Sequence, residues 1–275
     1  MIHLQCRLDR KNNNTPILSN KEIDQFVHAV LNDYKPSLLQ KPGKISFEHF
    51  LESYLGQTVL YYHIFHEEDS PPILGVTAFR DGYLKIFDRE NMRVSLVPIA
   101  ANSVVIDASL VEQGETGRAM FTGLHETGHV MMHRGVYNPN LDGQLSFIEE
   151  GLAPVLSCRR DSIAEFTPNP WGMSTKTPAE WREYHANYFA ASIAMPNATF
   201  RPFVLDSLQK HGLKTGRIIT GQDEYLDILA EEILPMEISE VYGASKQAAF
   251  IKLKQAGFVL DKKTHLQRQA QVAMV

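Results

Sequence analysis

The stretch GLHETGHVMMH, residues 123 to 133, places His125, His129 and His133 at every fourth position. Phe121, Leu124 and Val130 recur around them, and Gly135 supplies a stop signal. A helix is therefore expected from after Gly117 to about Arg134. Residues four apart share one helix face, so a fold built on this chain has to answer several neighbouring imidazoles at once. His125 and His129 can send two ring nitrogens to one tetrahedral Zn²⁺ at ~2.0–2.1 Å. Glu126 lies roughly 100° round the helix from His125. It can stand beside the ion without ligating it and take a proton from a water whose pKa zinc brings toward ~7. This is the H-E-x-x-H arrangement. The plain alternative is an amphipathic helix rich in histidine by coincidence. At this composition a chance H-E-x-x-H has a probability on the order of a few per cent, and its place inside a well-started, well-ended helix lowers that further.

Two histidines and a water leave one protein ligand to find. His133 continues the series but lies ~12 Å along the axis from His125. The longer pattern H-E-x-x-H-x-x-G-x-x-H fails, because Met132 occupies the glycine position. Glu149 and Glu150 have suitable chemistry but no local mark. Glu183 lies in TPAEWREYHANYFAASIAMP, a helix that opens on Thr177 as N-cap, Pro178 in the first position and Glu180 closing a capping box. Pro196 ends it. Asn187, four residues after Glu183, shares its face and could hydrogen-bond a ligand histidine. Gly128, Ala186 and Ala190 are small enough for the two helices to approach closely. A glutamate on a helix is ordinarily a solvated carboxylate, so the residues alone leave His133, Glu149, Glu150 and Glu183 open.

The remaining chain sets the frame. SNKEIDQFVHAVLNDY has helical spacing, with Ile23, Phe26, Val27 and Val30 on one side and Ser19 or Asn20 as cap. ISFEHFLESYLG reads as a short helix ending at Gly56. Residues 58 to 108 are rich in β-branched and aromatic residues, with a hairpin signal at Asp81-Gly82 and a last strand in NSVVIDASL. They are expected to form a small, mainly antiparallel sheet. Residues 199 to 258 read as short helices. The fold class expected is α+β, a small antiparallel sheet packed on a helical layer that carries the H-E-x-x-H.

A net charge of −5 gives no electrostatic footprint for nucleic acid. The start of the chain, MIHLQCRLDRKNNN, has no apolar leader segment, and no apolar run approaches the ~20 residues that span a bilayer. Cys6 and Cys158 give no disulfide framework. A cytoplasmic protein with reduced thiols and no membrane association is expected.

With these residues in hand, the chain resembles the ImmA/IrrE metallo-endopeptidases. Their core motif is an arginine, then Phe-Thr, then His-Glu-x-Gly-His, often with a histidine four on. Here these are Arg118, Phe121-Thr122, His125-Glu126-Thr127-Gly128-His129 and His133. Their second motif, a glutamate followed by Ala-Asn, an aromatic, Ala-Ala and Met-Pro, is similar to EYHANYFAASIAMP from Glu183 to Pro196. SVVIDASL and the tail EISEVYGASKQAAFIKLKQAGF also look like elements of that family. One departure is Gly123-Leu124 before His125, where the family has alanine. The resemblance implies a zincin-like fold with Zn²⁺ on His125, His129 and Glu183, and Glu126 as the catalytic base. It implies a zinc endopeptidase of narrow, regulatory specificity, whose partner is a repressor or antitoxin-like protein with a helix–turn–helix domain. The expected division is a metallopeptidase domain over 1–198 and a helical C-terminal subdomain over 199–275.

A second class of function is a non-catalytic zinc-binding regulator that binds a partner protein or DNA through the same scaffold. The tail has helix–turn–helix character, with Gly243 in the turn and Lys246, Lys252 and Lys254 beyond it. The acidic chain argues against direct nucleic-acid binding and for packing. Tyr137, Tyr184 and His185 are candidates to stabilise an oxyanion, although residues of these types are more often packing. Cys158 reads first as a small buried hydrophobe.

Overall fold

The structure is a computed structural model that describes residues 2–9, 14–137, 155–159 and 177–262. A ribbon of β1 (Arg7–Asp9) and β2 (Thr15–Ile17) precedes helix α1 (Asn20–Tyr34). Ser19 caps α1: its hydroxyl accepts from the Glu22 amide, and the Glu22 carboxylate accepts from the Ser19 amide at 2.7 Å. This reciprocal pair satisfies two of the amides that a helix start leaves without partners. The buried side of α1 includes Ile23, Phe26, Val27 and Val30, as the spacing indicates. ISFEHFLESYLG forms one helical turn, Phe47–His49, that runs on into the π-helical stretch Phe50–Tyr54. Gly56 follows in the left-handed region at φ 65°.

Strands β3 (Thr58–Tyr62), β4 (Ile73–Ala78), β5 (Gly82–Asp88), β6 (Arg93–Ile99), β7 (Ser103–Asp107) and β8 (Val155–Arg159) follow. Four of them form one sheet in the order β3-β7-β4-β8. The sheet is mixed: β4 runs antiparallel to β7 and β8, but β3 runs parallel to β7. The hairpin expected at Asp81-Gly82 does not form, because β4 and β5 belong to different sheets. Asp81 uses its carboxylate to accept from the Ala101 amide at 2.7 Å, which ties the start of β5 to the residues after β6. The hairpin is β5–β6, with Gly82 opposite Ile99 and Asp88 opposite Arg93. At its tip Asp88 accepts from the Asn91 amide at 3.1 Å, and Met92 takes the left-handed φ of 47°. The strand in SVVIDASL also stops earlier than its apolar run. Asp107 accepts from the Ser109 amide at 3.0 Å and so caps helix α2 (Ala108–Glu112).

Helix α3 (Thr116–Met132) carries the histidine series. It ends at Met132 rather than at Gly135, with His133 as its C-cap, and Gly135 lies inside the separate turn Arg134–Tyr137. Helix α4 (Pro178–Ala194) opens with the capping box of Thr177 and Glu180. The tail contributes α5 (Asn197–Lys210), α6 (Leu234–Tyr242) and α7 (Lys246–Gln255), with Gly243 at φ 74° between the last two.

One apolar cluster includes Val30, Val104, Ile106, Leu124, Phe189, Phe200, Leu253 and Val259, so the sheet, α1, α3, α4 and the tail share it. Each such fully buried side chain contributes roughly 1.5–3 kcal/mol. A smaller cluster of Val76, Ala78, Leu84, Ile99 and Val105 fills the other face of β4 and β7 beneath the β5–β6 ribbon. Lys252 of α7 is buried at 2% exposure, with Nζ donating to Ser192 Oγ across 3.4 Å. Ser192 Oγ donates to Asp24 Oδ1 at 2.9 Å, and Tyr188 and Asn197 donate to Asp24 Oδ2 at 3.1 and 2.9 Å. This polar knot joins α1, α4 and α7. The start of α7 rests on α3: a Cβ on Gly117 would lie 2.8 Å from the Ser245 nitrogen.

Candidate metal centre

The site forms where α3 crosses α4. The crossing is close because small residues meet there: a Cβ on Gly128 would lie 3.0 Å from Ala186 Cα. Ala186 and Ala190 are wholly buried. Gly123 gives way on another side of α3, where an added Cβ would lie 2.1 Å from the Phe47 ring. That contact is a physical reason for glycine at 123, and it braces the site helix against the chain's N-terminal part.

His125, His129 and Glu183 converge. His125 Nε2 lies 3.0 Å from His129 Nε2 and 3.3 Å from Glu183 Oε2, and His129 Nε2 lies 3.4 Å from Glu183 Oε1. A tetrahedral ion with ligands at ~2.0–2.1 Å sets its ligand atoms ~3.3 Å apart. The three observed separations bracket that edge. Three ligand atoms of suitable kind lie within 4.8 Å of one another, so the group could hold a metal ion.

Hydrogen bonding supports the same reading. Asn187 Oδ1 lies 2.9 Å from His125 Nδ1, which assigns that ring as the Nδ1–H donor and leaves Nε2 a lone pair. His129 Nδ1 lies 2.9 Å from His133 Nδ1. With His129 as the donor there, its Nε2 also carries a lone pair. Two lone pairs and a carboxylate then face one point, an arrangement that calls for a cation. Burial lowers the pKa of His129 and holds it neutral, while Glu183 moves only part of the way toward offsetting this. Burial alone would raise the Glu183 carboxyl; the imidazoles of His125 and His129 outweigh it and hold the carboxyl well below the usual range. Neutral imidazole and ionised carboxylate are the protonation states in which these side chains ligate metals.

His133 sits beside this group rather than in it. Its Nδ1 meets the Nδ1 of His129, on the ring edge away from the convergence, and its ring stacks on His185 at 5.9 Å between centroids. Burial also holds His133 well below the ordinary histidine pKa. Glu149 and Glu150 lie outside the described residues, as does the side chain of Tyr137. Tyr184 donates to Asn20 Oδ1 at 2.7 Å, a contact toward the start of α1. His185 packs against Trp181 at 5.7 Å as well as against His133. Cys158 lies in β8 opposite Gly75, and its side chain is outside the description.

Glu126 is wholly buried and reaches the sheet. Thr77 of β4 donates its hydroxyl to Glu126 Oε2. A Cβ on Gly75 would lie 2.7 Å from Glu126 Oε1, so glycine at that position makes room for the carboxylate. Neither contact was legible in the sequence: ILGVTAF reads only as a strand. Compared with known proteins, the chain matches no family model and no curated protein sequence.

Proposed function

We propose that the chain is a zinc-dependent endopeptidase of the zincin kind, related to the ImmA/IrrE peptidases. The observation that carries this is the tetrahedral-edge spacing of His125, His129 and Glu183, with Glu126 one residue from the first ligand. His125, His129 and Glu183 would hold the zinc ion, which would supply Lewis-acid chemistry by lowering the pKa of a water and polarising a carbonyl. Glu126 takes the proton of the attacking water and returns it to the leaving amine. Asn187 and His133 fix the ring orientations of His125 and His129 through their Nδ1 atoms. The substrate we assign is a regulatory protein, a helix–turn–helix repressor or an antitoxin-like protein, cut at one site. An unrestrained peptidase inside a cell would be harmful, and this favours narrow specificity drawn from contacts beyond the scissile bond.

The division at 198/199 belongs to the same proposal. Within it the tail packs rather than reads DNA: Lys252 lies in the core, Lys254 stands 4.2 Å over the Phe250 ring, and the start of α7 rests against Gly117. No helix among the described residues is long and apolar enough to cross a membrane; a cytoplasmic location is part of the proposal.

The test is to incubate the zinc-loaded chain with casein and, separately, with repressors encoded beside it. A single cut in one repressor, lost in Glu126→Gln, is the expected outcome. Brisk casein digestion would contradict narrow specificity. Tight repressor or DNA binding with no cut would favour the non-catalytic regulator.

A further inference from the structure

Strand β4 meets the site helix through two residues of one face. Gly75 and Thr77 lie opposite Ile106 and Val104 of β7, which belong to the core on the α3 side. Val76 and Ala78 face the smaller cluster behind the sheet. The pairing of β4 with β8 shifts register between Ile73 and Gly75. Leu74 there enters the main core while Gly75 still turns toward α3. Such bulges re-aim side chains, and they concentrate beside active sites. Here the result is a seat: Gly75 leaves the volume that the Glu126 carboxylate occupies, and the Thr77 hydroxyl donates to Oε2. Thr77 is 1% exposed and Glu126 0%, so the bond between them is buried. Thr77 is also held by its backbone between β7 and β8, opposite Val104 and Leu156. A carboxylate on a two-carbon stem has three rotatable bonds, and its terminal torsion is broad. A donor fixed in a central strand removes that freedom.

We infer that Thr77 is a positioning residue for Glu126, with Gly75 supplying the space, so that the strand and not the helix sets the orientation of the general base. This rests on the peptidase reading of the site. A purely structural Thr77 would satisfy a buried hydroxyl and brace the sheet against α3. Replacing it would then lower stability without changing how the site handles a ligand proton.

The probe is acetohydroxamate, titrated calorimetrically into the zinc-loaded chain. Its acidic proton needs an acceptor beside the metal, and on the peptidase reading that acceptor is Glu126. Wild type should bind it, and Glu126→Gln should bind it about tenfold or more weakly at equal zinc content. Thr77→Val, which keeps the shape and removes the donor, should weaken it in the same direction by about tenfold, the scale of a hydrogen bond to a charged group. Thr77→Ser should stay within about twofold of wild type. Thr77→Ala makes the same comparison should the valine variant fold poorly, and Gly75→Ala should weaken binding independently by displacing the carboxylate. Wild-type affinity in a folded, zinc-replete Thr77→Val or Thr77→Ala, alongside a weakened Glu126→Gln, overturns the role of Thr77 alone. Equal affinity in wild type and Glu126→Gln overturns the placement of Glu126 as base, and the inference with it.

Discussion

His125 Nδ1 donates to Asn187 Oδ1 across 2.9 Å, from α3 to α4. The same two helices bring His125 Nε2 to within 3.3 Å of Glu183. Asn187 thus fixes the ring whose other nitrogen faces the Glu183 carboxylate. Partners of this kind contribute 10–100-fold to metal affinity. Asn187→Ala is expected to weaken zinc binding by about 10–100-fold while leaving one ion per chain at saturation. Competition with a zinc chelator measures it. Unchanged affinity would show that packing alone orients His125.

Gly123 and Phe47 make a sharper steric prediction. The Phe47 ring occupies the space of a Cβ at 123, with an atom 2.1 Å from where it would stand. Gly123→Ala, ordinarily favourable in a helix interior, should instead destabilise the chain by about 1–3 kcal/mol through overpacking. Phe47→Leu should relieve part of the added cost in the double variant. Denaturant unfolding of the four chains gives the coupling. Additive effects would mean that the ring simply swings away.

Lys252 predicts a pH dependence. Burial depresses its pKa from 10.5 to about 8, with the charge of Asp24 working the other way. The unfolded chain therefore binds more protons than the folded one between about pH 8 and 10.5, so this group's contribution to stability rises across that window. The shift corresponds to about 3 kcal/mol of cost below pH 8. Subtracting the unfolding free energy of Lys252→Met from that of wild type isolates the effect. The difference should climb in favour of wild type between pH 8 and 10.5 and be flat below pH 7. A flat difference throughout would mean that Lys252 stays charged, satisfied by Ser192 and Asp24.

What the sequence disclosed here has a physical pattern. The cap of α1, the capping box of α4 and the shared face of Glu183 and Asn187 were readable because each depends on residues three or four apart. The closeness of α3 and α4 followed from Gly128, Ala186 and Ala190. The sheet was less legible. Asp81-Gly82 carries a turn signal, but the Asp81 carboxylate is taken by Ala101, twenty residues on. The parallel pairing of β3 with β7 spans more than forty residues and leaves no local mark. Thr77 and Gly75 carry no local mark for the same reason: their partner, Glu126, lies about fifty residues away. Spacing gives the face of His133 but not the direction of its ring, so the sequence alone does not exclude it as a ligand.

The metal content of purified chains, measured by elemental analysis, tests the centre most directly. Wild type should carry one zinc per chain, His133→Ala should keep it with weaker affinity, and His129→Ala and Glu183→Ala should lose most of it. Full zinc retention in a folded Glu183→Ala would contradict the assignment of the third ligand and pass that role to another residue.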